Sequence, residues 1–246
     1  MKKYFFATVL FFSMSVVRAD DKGDKCDFSL GADVVSSYLW RGTAYSGASI
    51  QPSMGLNVGG FSIGAWGSVD FAGFGFKEVD LTASYTFGNF TVGLFNLWPG
   101  WEGDYNYFDF SKSTVHILEA NLLYSFDPFP LTLGWNTIIA GDDKYMNNHG
   151  KMKRAYSTYV EATYSFSVKD VTLDLAVGAS LWNSSVLYTS DLYGWRQGTD
   201  GFAVVYTSLM ASKNIKITDS YSLPVYTQLA YNPAKEDAFL VFGIRF

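Results

Sequence analysis

After residue 19 the chain has no stretch long and apolar enough for a membrane-crossing helix, yet about twelve stretches of roughly 9–13 residues alternate apolar with polar side chains. Alternation with period two places successive side chains on opposite faces of a strand. The stretches run over residues 28–40, 49–58, 61–71, 78–87, 90–98, 114–126, 131–140, 156–168, 171–183, 202–215, 221–231 and 238–246. Each has the length that a tilted strand needs to cross a hydrocarbon layer, and an even number closes an antiparallel barrel with both ends on one side. The expected fold is all-β: one transmembrane antiparallel β-barrel of about twelve strands.

The connections between the stretches alternate in length. Gly59-Gly60, Gly88-Asn89, Asp127-Pro128-Phe129-Pro130 and Lys169-Asp170 are tight-turn sequences, with Gly or Asn available for positive φ and Pro where a ladder ends. Between them lie longer polar connections at residues 41–48, 72–77, 99–113, 141–155 and 184–201. An outer-membrane barrel sorts its connections this way, with short periplasmic turns and longer extracellular loops, whereas a soluble sandwich has no reason to do so.

Alternation alone does not say which face is outside. In the 171–183 stretch, Val171, Leu173, Leu175, Val177, Ala179 and Leu181 oppose Thr172, Asp174, Gly178 and Ser180. A lipocalin-like barrel would turn the apolar set inward. Both termini favour the opposite sense. At the N-terminus, Lys2 and Lys3 precede an apolar run and Val17-Arg18-Ala19 fits a peptidase site, so residues 1–19 read as a cleavable signal peptide and 20–246 as the barrel domain. At the C-terminus, Leu240, Phe242, Ile244 and Phe246 share one face, and the chain ends on an aromatic. This ending resembles the C-terminal assembly signature of bacterial outer-membrane barrels, although Gly243 lies nearer the end than the glycine of its commonest form. Phe242, Ile244 and Phe246 are therefore the expected assembly signal, and the expected location is the outer membrane. Outer-membrane lipid and the assembly machinery are then partners.

Charge narrows the partners further. The chain carries −5, and removing Lys2, Lys3 and Arg18 takes the basic count from 18 to 15 against 23 acidic, about −8. That argues against nucleic acid as a partner, and none is expected. The single Cys26 cannot form an internal disulfide and lies too far past the apolar run for lipoprotein acylation.

Ser37-Tyr38-Leu39-Trp40-Arg41-Gly42, then Gln51-Pro52, then Gly60-Phe61-Ser62-Ile63-Gly64-Ala65-Trp66-Gly67-Ser68 resemble the opening of the TorF-type porins, over residues 33–71 only. The resemblance implies an outer-membrane barrel and a pore, and implies no substrate or site residue. From the residues themselves, Arg41 at the loop end either constricts a lumen or pairs with a neighbouring acid.

Catalytic chemistry has two histidines to work with. His116 has the parity of Leu118, Ala120 and Leu122, the lipid face, and no serine stands in a convincing partner pattern. His149 follows Asp142-Asp143 in a polar loop, an arrangement open to an aspartate–histidine hydrolase, an oxygen-rich cation site or a solvated turn. No cofactor or metal is expected.

The lumen is the remaining candidate. Inward parity collects Asp33, Asp70, Glu78, Asp80, Glu119, Glu161 and Asp174, with Asn121, Asn136, Gln51 and Gln228, against Arg41 and Arg245. Carboxylates are costly in lipid and tolerable beside water or a cation. The expectation is a narrow, acidic channel for small polar or cationic solutes, selected by Asp33, Arg41, Asp70, Asp80, Glu119, Asn121, Glu161, Asp174 and Arg245. A closed structural or partner-binding barrel, cross-linked by the same groups, and an outer-membrane hydrolase are the alternatives. Trp101, Tyr105, Tyr107, Tyr193 and Trp195 in two long loops offer an aromatic surface for a sugar or a partner, or simply pack the loops.

Overall fold

The computed structural model describes residues 26–71, 73, 75–101, 106–147, 149–182, 184 and 201–246. The expected signal peptide, Tyr105, Tyr193 and Trp195 lie outside them. In chain order the strands are β1 (Cys26–Val35), β2 (Tyr38–Trp40), β3 (Thr43–Ser46), β4 (Ser49–Val58), β5 (Phe61–Asp70), β6 (Phe76–Phe87), β7 (Phe90–Leu97), β8 (Pro99–Trp101) and β9 (Ile117–Ser125). They continue as β10 (Leu131–Gly141), β11 (Lys144–Met146), β12 (Met152–Arg154), β13 (Thr158–Val168), β14 (Val171–Ser180), β15 (Ala203–Lys216), β16 (Ser222–Asn232) and β17 (Asp237–Arg245).

Twelve of these are the staves of a closed antiparallel barrel, ordered β1-β4-β5-β6-β7-β9-β10-β13-β14-β15-β16-β17, with β17 returning to β1. Eleven of the twelve expected stretches match a stave to within three residues at either end. The tight turns are where the sequence puts them, and Gly59, Gly88 and Lys169 take positive φ there. The staggered closing seam is short. Asp33, Val34 and Val35 pair with Arg245, Ile244 and Gly243, and Ala32 and Phe246 exchange backbone hydrogen bonds of 3.3 and 2.9 Å.

Side-chain parity holds along most of each stave; it is interrupted at the register shift between β14 and β15, where Ala179, expected outside, is buried and the adjacent Val205 and Tyr206 are both buried. Val171, Leu175 and Val177 face outward while Asp174 is buried in the interior. Outward residues include Leu240, Phe242 and Phe246 on the last stave, all exposed, so the apolar face of the C-terminal strand is on the outside. Aromatic rings gather at the turn end of the outer face, with Phe87 on Phe90 at 5.8 Å and Phe90 on Tyr124 at 4.6 Å. Gly243 faces inward beneath the ring of Tyr226, its partner on β16, where a Cβ would come within 2.1 Å of the ring. That close approach explains a glycine so near the chain's end.

The first stretch is the exception. It was expected to continue to Trp40, but β1 stops at Val35, and the chain turns into a separate hairpin, β2–β3. The tip of this hairpin is Arg41-Gly42, both with positive φ (47° and 78°), a turn whose twist matches that of two-residue hairpins. Glycine is required at the second position. A Cβ on Gly42 would stand 2.0 Å from the backbone oxygen of Val205, and Asn232 Nδ2 donates to the Gly42 carbonyl at 2.9 Å. Both contacts come from barrel staves, so the hairpin is folded into the lumen.

Candidate functional site

The hairpin fills the loop half of the lumen with a hydrophobic core. Leu39 packs with Ala176, Tyr206, Ala230 and Val241 on four different staves. Trp40 reaches both the Leu97, Ile117 and Ile138 cluster and the Tyr159 and Val205 cluster. Tyr38 lies against Tyr45, Trp66 and Phe76, with ring centroids 5.3–6.0 Å apart. Each fully buried side chain of this size contributes about 2 kcal/mol, so the hairpin is a packed element of the interior.

Its tip carries the strongest polar contact. Arg41 forms a bidentate pair with Glu119, Nη1 to Oε2 at 2.6 Å and Nη2 to Oε1 at 2.9 Å, with both side chains buried. The guanidinium also lies 4.4 Å from the Trp40 ring centroid and 4.5 Å from that of Tyr159. Asn121 Nδ2 donates to Glu119 Oε1 at 2.6 Å and to Asn136 Oδ1 at 2.8 Å, and Asn136 donates in turn to the Tyr159 carbonyl at 3.2 Å. Glu161 accepts from the Tyr159 hydroxyl and from Thr163 at 3.2 Å. Arg41 thus pairs with an acid and obstructs the lumen at once, so the two readings left open by the sequence hold together.

The second expected cation is used elsewhere. Arg245 donates to both Asp33 oxygens, Nε to Oδ1 at 2.9 Å and Nη2 to Oδ2 at 2.8 Å, across the closing seam. This pair clamps the first and last staves.

Four lumenal carboxylates, Glu78, Asp80, Glu161 and Asp174, have no ion-pair partner among the described residues. Among the described residues Asp80 accepts only the backbone N–H of Trp98, at 3.2 Å. Asp174 Oδ1 accepts from Ser165, while its Oδ2 is buried without a partner. Glu78 Oε2 and Ser68 Oγ, on paired residues of β6 and β5, are likewise buried and unpartnered. Asp70 stands at the loop end of β5 opposite Ser49.

Below the hairpin lies a cavity of about 140 Å³, bounded by Tyr38 and Arg41 above, Asp33 and Arg245 at the seam, and Trp66 and Asp80 on the β5–β6 wall. Sequence reasoning placed Asp33, Asp80, Glu119, Arg41 and Arg245 around one lumen, and all five line this cavity. Asn121, Glu161 and Asp174 do not line it. Sequence reasoning met Tyr38, Trp40 and Trp66 only within the motifs that carry the family resemblance and did not single them out as lumenal residues. The available signal was Arg41-Gly42, which reads as a two-residue hairpin turn once the flanking Tyr38–Ser46 segment is taken as two short strands.

The loop candidates separate. Tyr107 packs on Trp98 at 5.3 Å and on His116 at 5.1 Å, while Phe108 and Phe110 are exposed. Trp101 ends β8, opposite Phe76. His116 has outward parity but is buried beneath this loop: Nδ1 meets Asn96 Oδ1 at 2.7 Å, Nε2 donates to the Tyr107 carbonyl at 2.6 Å, and Phe110 stacks on the ring at 4.5 Å. It therefore has an enclosed loop contact where the sequence reading expected the lipid face. The Asp142-Asp143…His149 grouping is not assembled. Asp143 is fully buried and accepts from Ser157 N and Oγ at 3.0 and 2.6 Å, Asp142 lies 3.6 Å from Lys144, and His149 is exposed.

No protein-family model matches this chain, and none of the curated proteins is detectably similar to it in sequence.

Proposed function

We propose that the chain is an outer-membrane channel for small cationic solutes, gated by the β2–β3 hairpin. The supporting observation is the surplus of buried lumenal acid: Glu78, Asp80 and Asp174 have no ion-pair partner among the described residues. An interior cross-linked only for rigidity gains nothing from uncompensated carboxylates, each of which costs desolvation energy. Along a path for cations, the same groups raise the local cation concentration and repel anions. The exposed apolar belt, the segregation of long loops from tight turns and the resemblance of residues 33–71 to TorF-type porins support an outer-membrane location. The outward Phe242 and Phe246 fit recognition by the assembly machinery.

The packed hairpin favours a second reading, a closed structural barrel, and one experiment separates the two. Residues 20–246 are refolded into planar bilayers, as the parent and with residues 37–46 replaced by a short Gly-Ser linker. The channel reading expects small or intermittent current from the parent and a larger, cation-selective current from the variant. A correctly folded, heat-modifiable variant that passes no current supports the closed barrel. Current that prefers anions overturns the selectivity.

A further inference from the structure

We propose that the cavity beneath the hairpin is a binding site for a small organic ammonium ion, held by Asp80 against the rings of Tyr38 and Trp66. This rests on the reading of the lumen as cationic in preference and names the class of solute.

Among the described residues the charges around the cavity do not cancel. Arg41 is committed to Glu119 and Arg245 to Asp33, each through a two-pronged contact. Asp80 remains. Its side chain is 1% exposed and lines the cavity, and one oxygen accepts the Trp98 N–H while the other takes no hydrogen bond among the described residues. Glu78, two residues along the same inward face, adds a second buried acid whose Oε2 is unpartnered. A group that enters this cavity therefore meets net negative charge beside apolar and aromatic walls, where ionic attraction is stronger than in open water.

The walls decide between a bare metal ion and an organic cation. A hard cation needs about six oxygen ligands, and among the described residues no group of three or more His, Cys, Asp or Glu side chains is placed to hold a metal. Tyr38 and Trp66 border the cavity instead, their ring centroids 5.3 Å apart and their planes inclined at 56°. Two inclined aromatic faces beside a carboxylate suit an alkylammonium group, which draws on the ring quadrupoles and needs no full shell of oxygens. Size sets the upper limit. The 140 Å³ open to the centre of a water molecule holds on the order of ten waters, at roughly 10–15 Å³ each. The site takes a compact ammonium of about ten non-hydrogen atoms or fewer.

The test uses choline chloride and its uncharged isostere 3,3-dimethylbutan-1-ol, titrated into refolded protein in detergent with tryptophan fluorescence as the readout and calorimetry as a check. Choline should bind saturably, with no saturable binding of the alcohol. Asp80→Asn and Trp66→Leu should each weaken choline by at least about tenfold, the scale of a lost charge-assisted contact, while Asp170→Asn, in the exposed turn between β13 and β14, leaves it unchanged. Asp80→Asn preserves side-chain shape, and heat-modifiability verifies that each variant is folded. Equal binding of the alcohol, or unchanged choline affinity in folded Asp80→Asn, overturns the site. A parent that conducts cations in bilayers but binds no choline overturns the ligand class and leaves the channel reading standing. Choline binding to the parent, together with no current through the variant that lacks residues 37–46, supports the site and removes the channel.

Discussion

The wall of the lumen built from β9, β10 and β13 and the wall built from β5 and β6 obey the same alternation, polar inward and apolar outward, yet they end in different electrostatic states. On the first wall Glu119 meets Arg41, Asn121 and Asn136 continue the chain of donors, and Glu161 accepts two hydroxyls, so every carboxylate has a partner, and among the described residues Asn121 Oδ1 is the one buried side-chain atom of this wall left without one. On the second, Ser68 Oγ and Glu78 Oε2 are unpartnered and Asp80 has a single backbone donor. The hairpin accounts for the difference. It brings one guanidinium into the lumen, and the Arg41-Gly42 tip, anchored on Val205 and Asn232, delivers it to the β9 and β13 side. Binary patterning decides which side chains point inward; an inserted loop decides which of them are satisfied.

The largest effect is expected from removing the cation of the wall whose carboxylates are partnered. Arg41→Ala leaves Glu119 buried without its partner, which costs about 3–5 kcal/mol. It should lower the urea midpoint of the refolded barrel and raise its conductance as the hairpin loosens. Replacing both partners, Arg41→Met with Glu119→Leu, should recover most of the lost stability, because a buried pair exchanged for apolar groups of similar volume is close to neutral. A double variant as unstable as Arg41→Ala would show that the hairpin is held by packing and not by the ion pair.

Next in size is Gly42→Ala. A left-handed turn position costs a non-glycine residue roughly 1–2 kcal/mol, and the added Cβ would also collide with the Val205 carbonyl. The tip must then withdraw and take Arg41 with it, so the expected result is partial loss of stability with increased open-channel current. An unchanged urea midpoint would show that the tip is not seated between β15 and β16.

How much of this contrast was legible in the sequence depends on the range of the contact. Parity along each stave was legible, because period-two alternation is local, and so were the tight turns, which carry their own glycines, Asn89 and prolines. The pairings that decide the state of each charge were not. Arg41 and Glu119 lie 78 residues apart and Asp33 and Arg245 lie 212 apart. Inward parity places all four in one lumen without saying which acid meets which base. The hairpin was concealed for a different reason: Ser37-Tyr38-Leu39-Trp40 prolongs the alternation of β1, so a strand continuing to Trp40 and a strand folding back at Val35 have the same local pattern. Only the packing of Leu39 and Trp40 against five or more staves separates them.

A smaller effect, of opposite sign, is expected on the unsatisfied wall. Glu78→Gln replaces a buried carboxylate that has no cation beside it with a neutral amide of the same shape. The amide can donate to Ser68 Oγ, its cross-strand neighbour, which is itself unpartnered. The variant should gain roughly 1 kcal/mol in urea unfolding and lose some cation preference in a salt-gradient reversal potential. A loss of stability would mean that the carboxylate has a partner after all, and the contrast between the walls would weaken.

The smallest effect is expected where an ion pair lies outside the lumen. Asp170, in the turn between β13 and β14, meets Lys213 Nζ at 2.9 Å, and both side chains are largely exposed, 68% and 46%. The hydrogen bond from Lys213, with a backbone hydrogen bond and the lysine's charge, holds the Asp170 carboxyl below its ordinary value. A carboxyl depressed in the folded state contributes stability above its unfolded pKa, and that contribution is lost as pH falls through the folded value. Any contribution is therefore complete at neutral pH and disappears only in acid. It is also weak, because water and salt screen an exposed pair. Asp170→Asn should leave the urea midpoint unchanged at pH 7 in physiological salt, and parent and variant should converge in acid. Arg41 and Asp170 each take part in a short ion pair, so a large loss from Arg41→Ala beside no loss from Asp170→Asn would assign the difference to burial and not to contact distance. A comparable loss from both would mean that the turn end of the barrel is held by charge as firmly as the plug.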